Sequence, residues 1–198
     1  MFSKCLVALL CLNAFAVSTT PAPQAGSQSL TSGLFAIVPT LGGPSLTSFN
    51  VTDGSPVGTI LQAKTALNQS WSFIATNSPN VFLIMNTASS LFLSFSNAPI
   101  NGPVQFSQAA THKTPLPFLL QPIPGSKSFN IQVNNSPFLL SAWPSPVNST
   151  ANPVTFETVA AGDCPLVGGQ NWTLIPFNMP LAWNTKAIFS VPLSNQTM

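Results

Sequence analysis

Few side chains in this chain of 198 residues are of the types that do covalent chemistry. His112 is the single histidine and stands in Ala110-Thr111-His112-Lys113-Thr114, which reads as a solvated hairpin loop. One imidazole can act as a general base, and with Cys164 it would make a thiol–imidazole pair. Asp163 beside Cys164 works against that pair, because a neighbouring negative charge disfavours the thiolate. Glu157 and Asp163 are the one candidate carboxylate pair, and a glycosidase pair must stand about 5–9.5 Å apart. Nothing in the sequence holds them at that distance. No cluster of His, Cys, Asp or Glu has metal-ligand spacing, and Gly168-Gly169 reads as a turn rather than a phosphate cradle. The expectation is a chain with no catalytic residues, no metal and no cofactor.

Aromatic side chains offer more. Trp143 is flanked by Pro144 and Pro146 three residues after Leu140, in a stiff loop. An indole there can stack on the apolar face of a sugar, or it can close the loop against its own hairpin. Phe49 occupies the corresponding place after Leu46, and Ser96 the one after Leu93. Thr47 and Ser141 lie beside these platforms as hydroxyl groups, and Asn68 is a candidate polar partner in the first segment.

The elements that must position these residues begin with the N-terminus. Lys4, the apolar run Cys5 to Leu12, and Ala14-Phe15-Ala16 describe a secretory signal peptide over residues 1–16. Its run is far short of the roughly 20 apolar residues that span a bilayer. No membrane association is expected, and the expected location is extracellular. Residues 17–32 read as a disordered Ser/Thr/Pro leader. Beyond the signal, four lysines (Lys64, Lys113, Lys127, Lys186) face three carboxylates, and arginine is absent. Scattered lysines make no phosphate-binding patch, so nucleic acid is excluded as a partner. So little charge leaves solubility to another device. Sequons at Asn50, Asn68, Asn134, Asn148, Asn171 and Asn195 supply one, as sites for hydrated glycans. With Cys5 and Cys11 in the signal, Cys164 is unpaired and free for an intermolecular disulfide.

Internal repetition organises residues 33–177. Phe35, Phe82 and Phe129 are spaced by 47 residues, and so are Leu46, Leu93 and Leu140. Thr59-x-Leu61, Val104-x-Phe106 and Val154-x-Phe156 follow, and then Trp71-x-Phe73, Phe118-x-Leu120 and Trp172-x-Leu174. Residues 160–169 read as a loop insertion. Prolines exclude long helices, and stretches such as Leu91-Leu93-Phe95 and Phe156-Thr158 alternate as strands do. One unit of two hairpins cannot bury its apolar face, whereas three can share a core and remove exposed sheet edges. The expectation is an all-β fold, a β-trefoil of three four-stranded repeats with pseudo-threefold symmetry, in preference to a two-sheet sandwich. Trp71, Phe118 and Trp172 then meet near the axis. Residues 178–198, with Trp183 and Phe189, form a C-terminal extension expected to pack on the barrel.

Asn68-Gln69-Ser70-Trp71 and Gly169-Gln170-Asn171-Trp172 resemble the Gln-x-Trp signature of ricin-B-type β-trefoil lectins. Pro115-Leu116-Pro117-Phe118 keeps only the aromatic. The resemblance covers residues 33–177 and implies a secreted, fungal-like lectin fold whose motif tryptophans lie in the core. It also implies a sugar-binding Asp after the Leu that begins each second strand, and there this chain has Thr47, Ser94 and Ser141. A hydroxyl is a weaker acceptor than a carboxylate, so the sugar sites are degenerate. Carbohydrate binding through Trp143, Ser141, Phe49, Thr47 and Asn68 is the expected function. The alternatives are a protein-binding trefoil, acting as a protease inhibitor or secreted effector through the loops Pro115–Pro117 and Pro144–Pro153, and a glycan-coated surface protein. The partner is accordingly a glycan or an extracellular protein.

Overall fold

The computed structural model describes residues 30–40, 44–61, 66–95, 107–144, 151–158 and 169–177. The signal segment, most of the leader, Cys164, Asp163, Asn148, Asn195 and the C-terminal extension lie outside the described residues.

Among the described residues, twelve strands follow one another. They are β1 (Gly33–Pro39), β2 (Pro44–Ser48), β3 (Ser55–Leu61), β4 (Trp71–Ala75), β5 (Val81–Asn86) and β6 (Phe92–Phe95). Then come β7 (Ser107–His112), β8 (Pro117–Pro122), β9 (Ser128–Val133), β10 (Phe138–Ala142), β11 (Ala151–Thr158) and β12 (Trp172–Pro176). A 3-10 turn, Leu67–Gln69, leads into β4. Every pairing is antiparallel, which suits hairpin connections of a few residues.

The pairings close a barrel. β1 joins β4, β4 joins β5, β5 joins β8, β8 joins β9, β9 joins β12, and β12 returns to β1. Closure removes the unpaired edges that an open sheet would leave. The remaining strands are the hairpins β2–β3, β6–β7 and β10–β11, and their inner strands pair in turn as β3–β7, β7–β11 and β11–β3. Tight turns between strands need left-handed backbone, and Asn80 and Asn135 supply it at φ of 58° each.

The 47-residue markers fall on corresponding strands: Phe35, Phe82 and Phe129 on β1, β5 and β9, and Leu46, Leu93 and Leu140 on β2, β6 and β10. Trp71, Phe118 and Trp172 begin β4, β8 and β12 at or next to the first residue, are fully buried, and belong to one core. The indole N–H of Trp71 donates to the Leu46 carbonyl at 2.9 Å, and that of Trp172 to the Leu140 carbonyl at 2.8 Å. Phe118 has no donor to give; it stacks on Phe156 with centroids 5.8 Å apart. The alternation Leu91-Leu93 is buried as expected, while Thr158 is exposed because it is the last residue of β11.

Two features were not in the sequence pattern. Leu30 and Ser32, assigned above to a disordered leader, touch the barrel: Leu30 packs on the core and Ser32 Oγ accepts the Ala75 N–H at 3.1 Å. Gln108 on β7 sends its amide nitrogen to the carbonyls of Val57 at 2.9 Å, Val154 at 2.8 Å and Ala109 at 3.2 Å. One side chain thereby ties β3, β7 and β11 together where their carbonyls converge.

Truncating Trp71 to Ala removes both the buried ring and the donor to Leu46, and is expected to cost about 3–5 kcal/mol. Trp71→Phe keeps most of the ring but leaves the Leu46 carbonyl without its indole, for a smaller loss of about 1–3 kcal/mol. Urea denaturation of the two variants beside the parent checks the order.

Candidate functional site

The two aromatic platforms sit at the same place on two hairpins. The Phe49 N–H donates to the Pro56 carbonyl at 3.4 Å, and the Trp143 N–H to the Pro153 carbonyl at 3.0 Å. Each aromatic thus leaves its strand opposite a proline on the returning strand, where the proline carbonyl still accepts although the ring nitrogen cannot donate. Two residues beyond those prolines lie Gly58 and Thr155, and each platform touches its own one. The Phe49 ring rests on Gly58, where an added Cβ would meet the ring at 2.6 Å and the Asn152 carbonyl at 2.8 Å. Only glycine leaves room for that approach. Phe49 remains 46% exposed beside Val51 at 61%.

Trp143 is half-buried, and its indole N–H donates to Thr155 Oγ1 at 2.7 Å. The Thr155 hydroxyl donates in turn to Glu157 Oε1 at 2.7 Å. Thr155 and Glu157 share the outward face of β11, since Val154 and Phe156 between them point into the core. Glu157 is half-buried, and that burial pushes its carboxyl above the usual range, with the Thr155 hydrogen bond pulling weakly the other way. In the first hairpin the position of Glu157 is held by Ile60.

Thr47 and Ser141 are placed differently from the platforms. Both are fully buried, and both hydroxyls donate to the carbonyl two residues back, Ser45 and Leu139, at 2.8 and 3.0 Å. Each also accepts from the amide of the Gln-x-Trp glutamine: Gln69 to Thr47 and Gln170 to Ser141, both at 3.1 Å. These hydroxyls hold the motif segment against its hairpin and do not reach the surface. Close packing continues at Gly169, where an added Cβ would collide with the Ala142 carbonyl. Asn68 is half-buried, and its side-chain nitrogen donates to the Ser48 carbonyl at 3.3 Å, one residue before Phe49.

Among the other sequons, Asn50 is exposed, Asn134 is half-buried, and Asn171 is half-buried with Oδ1 accepting from Asn130 at 3.0 Å. Leu116 packs against the core and Pro117 lies in β8, so Pro115–Pro117 is no free loop.

His112 is not the solvated loop residue the sequence suggested. It ends β7, half-buried, with Nδ1 3.2 Å from Asp53 Oδ1. Asp53 also accepts the Lys113 N–H at 3.0 Å, and that backbone bond foremost holds its carboxyl below the usual range. The contact staples the β2–β3 turn to the end of β7, a cross-hairpin meeting with no local sequence signal. Among the described residues no group of three or more His, Cys, Asp or Glu gathers, and no helix is long and apolar enough to cross a membrane.

The Glu157 environment predicts a pH dependence. Its folded carboxyl binds a proton more tightly than the unfolded one, so its contribution is favourable at low pH. That contribution is lost as pH rises from the ordinary glutamate value of about 4.3 through the raised folded value. Glu157→Gln is therefore expected to raise Tm at pH 7 and to leave it nearly unchanged at pH 4, as thermal melts at the two pH values will show.

No family model matches the sequence, and no curated protein matches it. Solved structures do. The Rhizoctonia solani agglutinin superposes with a TM-score of 0.61 at 18% identity, over 78% of this chain and 99% of its own. The Macrolepiota procera ricin B-like lectin, determined in complex with lactose, gives 0.61 at 16% identity, over 74% and 98%. A designed 3-fold symmetric protein gives 0.60 at 17% identity, over 72% and 98%. At such identities the likeness speaks for the fold alone. This chain has the closed, all-β trefoil fold of the ricin B-like lectins.

Proposed function

We propose that the protein is a secreted, non-enzymatic sugar-binding protein that stacks its ligand on an aromatic platform, Trp143 or Phe49. In this reading three copies of one four-stranded segment share a pseudo-threefold axis, residues 1–16 direct secretion, and glycans on sequons such as the exposed Asn50 supply hydration that few charges provide. The even 47-residue spacing, and the fall of its markers on corresponding strands, support the repeat.

The observation that carries the sugar reading is the equivalence of the two platforms. Trp143 follows Phe49 by twice the 47-residue period, and both rings leave the hairpin opposite a proline carbonyl and touch the residue two beyond it. A large ring kept partly open at a fixed place on two hairpins suits shallow stacking on a pyranose. That a lectin of the same fold holds lactose supports the ligand class. The buried Thr47 and Ser141 act in this reading as struts behind the platforms rather than as ligand contacts.

Titration calorimetry of the deglycosylated protein with lactose, methyl α-mannoside and N-acetylglucosamine tests this. At least one sugar is expected to bind. Trp143→Ala is expected to weaken it about tenfold, since an aromatic contact contributes up to about 1.5 kcal/mol. Absence of heat with all three in the parent protein would sink the reading.

A further inference from the structure

Resting on that reading, we infer that the third hairpin carries a polyol site in which Glu157 is the hydroxyl acceptor, and that the first hairpin carries none. The argument is an inventory of donors and acceptors around Trp143. The indole has one N–H, and Thr155 takes it; the Thr155 O–H is spent on Glu157 Oε1. The Ser141 hydroxyl, on the strand paired with Thr155, is buried and bound to Leu139 and Gln170. These three donors are thus consumed among the described residues. What stays available is the second carboxylate oxygen of Glu157, which has no hydrogen-bond partner among the described residues.

A spare acceptor beside three spent donors favours a ligand that brings its own O–H groups. Glu157 stands no more than two hydrogen bonds from the indole, so a ring stacked on Trp143 places its hydroxyls within reach of the carboxylate. Charge-assisted acceptance of this kind is roughly twice as strong as its neutral counterpart. Thr155 has a positioning role: it joins the platform edge to the carboxylate and fixes both against β11. On the first hairpin the same two positions are Gly58 and Ile60, so Phe49 offers a surface without an acceptor. The two platforms therefore differ in chemistry though not in placement.

Calorimetry with lactose, methyl α-mannoside and N-acetylglucosamine on the deglycosylated protein decides the matter, with choline chloride as a cationic probe. The expected result is one site per chain for whichever sugar binds. Glu157→Gln, which keeps an oxygen for Thr155 but turns the free acceptor into a donor, is expected to weaken it about tenfold or more. Thr155→Val is expected to weaken it less, with the melting curve of each variant confirming that it folds. Sugar binding lost in Trp143→Ala yet unchanged in Glu157→Gln overturns the role of Glu157 and leaves the platform reading standing. Two equal sites per chain, or choline bound in preference to every sugar, overturns it as well. No sugar bound by the parent overturns both.

Discussion

The indole bonds from Trp71 to Leu46 and from Trp172 to Leu140 are what the rest of the molecule depends on. Each ring fills the core from a barrel strand while its one polar atom reaches the hairpin strand, so packing and orientation are fixed by a single side chain. A buried indole without that carbonyl would forfeit a hydrogen bond with no water to replace it. Because Leu46 and Leu140 stand three residues before Phe49 and Trp143, holding those carbonyls also holds the platforms. Behind each sits the second tie, Gln69 to Thr47 and Gln170 to Ser141. Phe118 shows the arrangement by departing from it. There the glutamine position is Leu116, which packs on the core, and the aromatic stacks on Phe156 instead of donating.

Function in the proposed account follows from what these ties consume. Hydroxyls beside the platforms are turned inward and serve the fold, so a ligand meets mainly ring faces. Glu157 is the exception, a carboxylate held on the outer face of β11 through Thr155. Its cost is visible in the direction of its acidity: partial burial disfavours the charge that would make it a good acceptor. A group kept in such surroundings with one oxygen free is placed for a partner that restores what solvent no longer gives.

Much of the fold was legible because Phe35, Phe82 and Phe129, and Leu46, Leu93 and Leu140, recur every 47 residues, and volume is hard to vary in a shared core. The platforms were legible from aromatics beside prolines. What escaped were contacts between residues distant in sequence. Gln108 reads as an ordinary polar residue on a strand until three strands bring their carbonyls to it. His112 reads as a loop residue until the β2–β3 turn lays Asp53 against it. Thr47 and Ser141 read as hydroxyls next to a ligand, because composition alone does not tell which face of a hairpin meets the motif glutamine. In the sequence Glu157 reads as half of a carboxylate pair with Asp163, while its partner in the structure is Thr155, two residues away on the same strand face.

The most direct measurement follows the indole N–H resonances of the tryptophans in a 15N-labelled, deglycosylated sample as lactose, methyl α-mannoside and N-acetylglucosamine are added. The account predicts that the Trp143 indole signal shifts with at least one of them. Those of Trp71 and Trp172 should stay fixed and resist exchange with deuterated solvent. An unmoved Trp143 signal with all three sugars, or rapid exchange at Trp71 and Trp172, would contradict it.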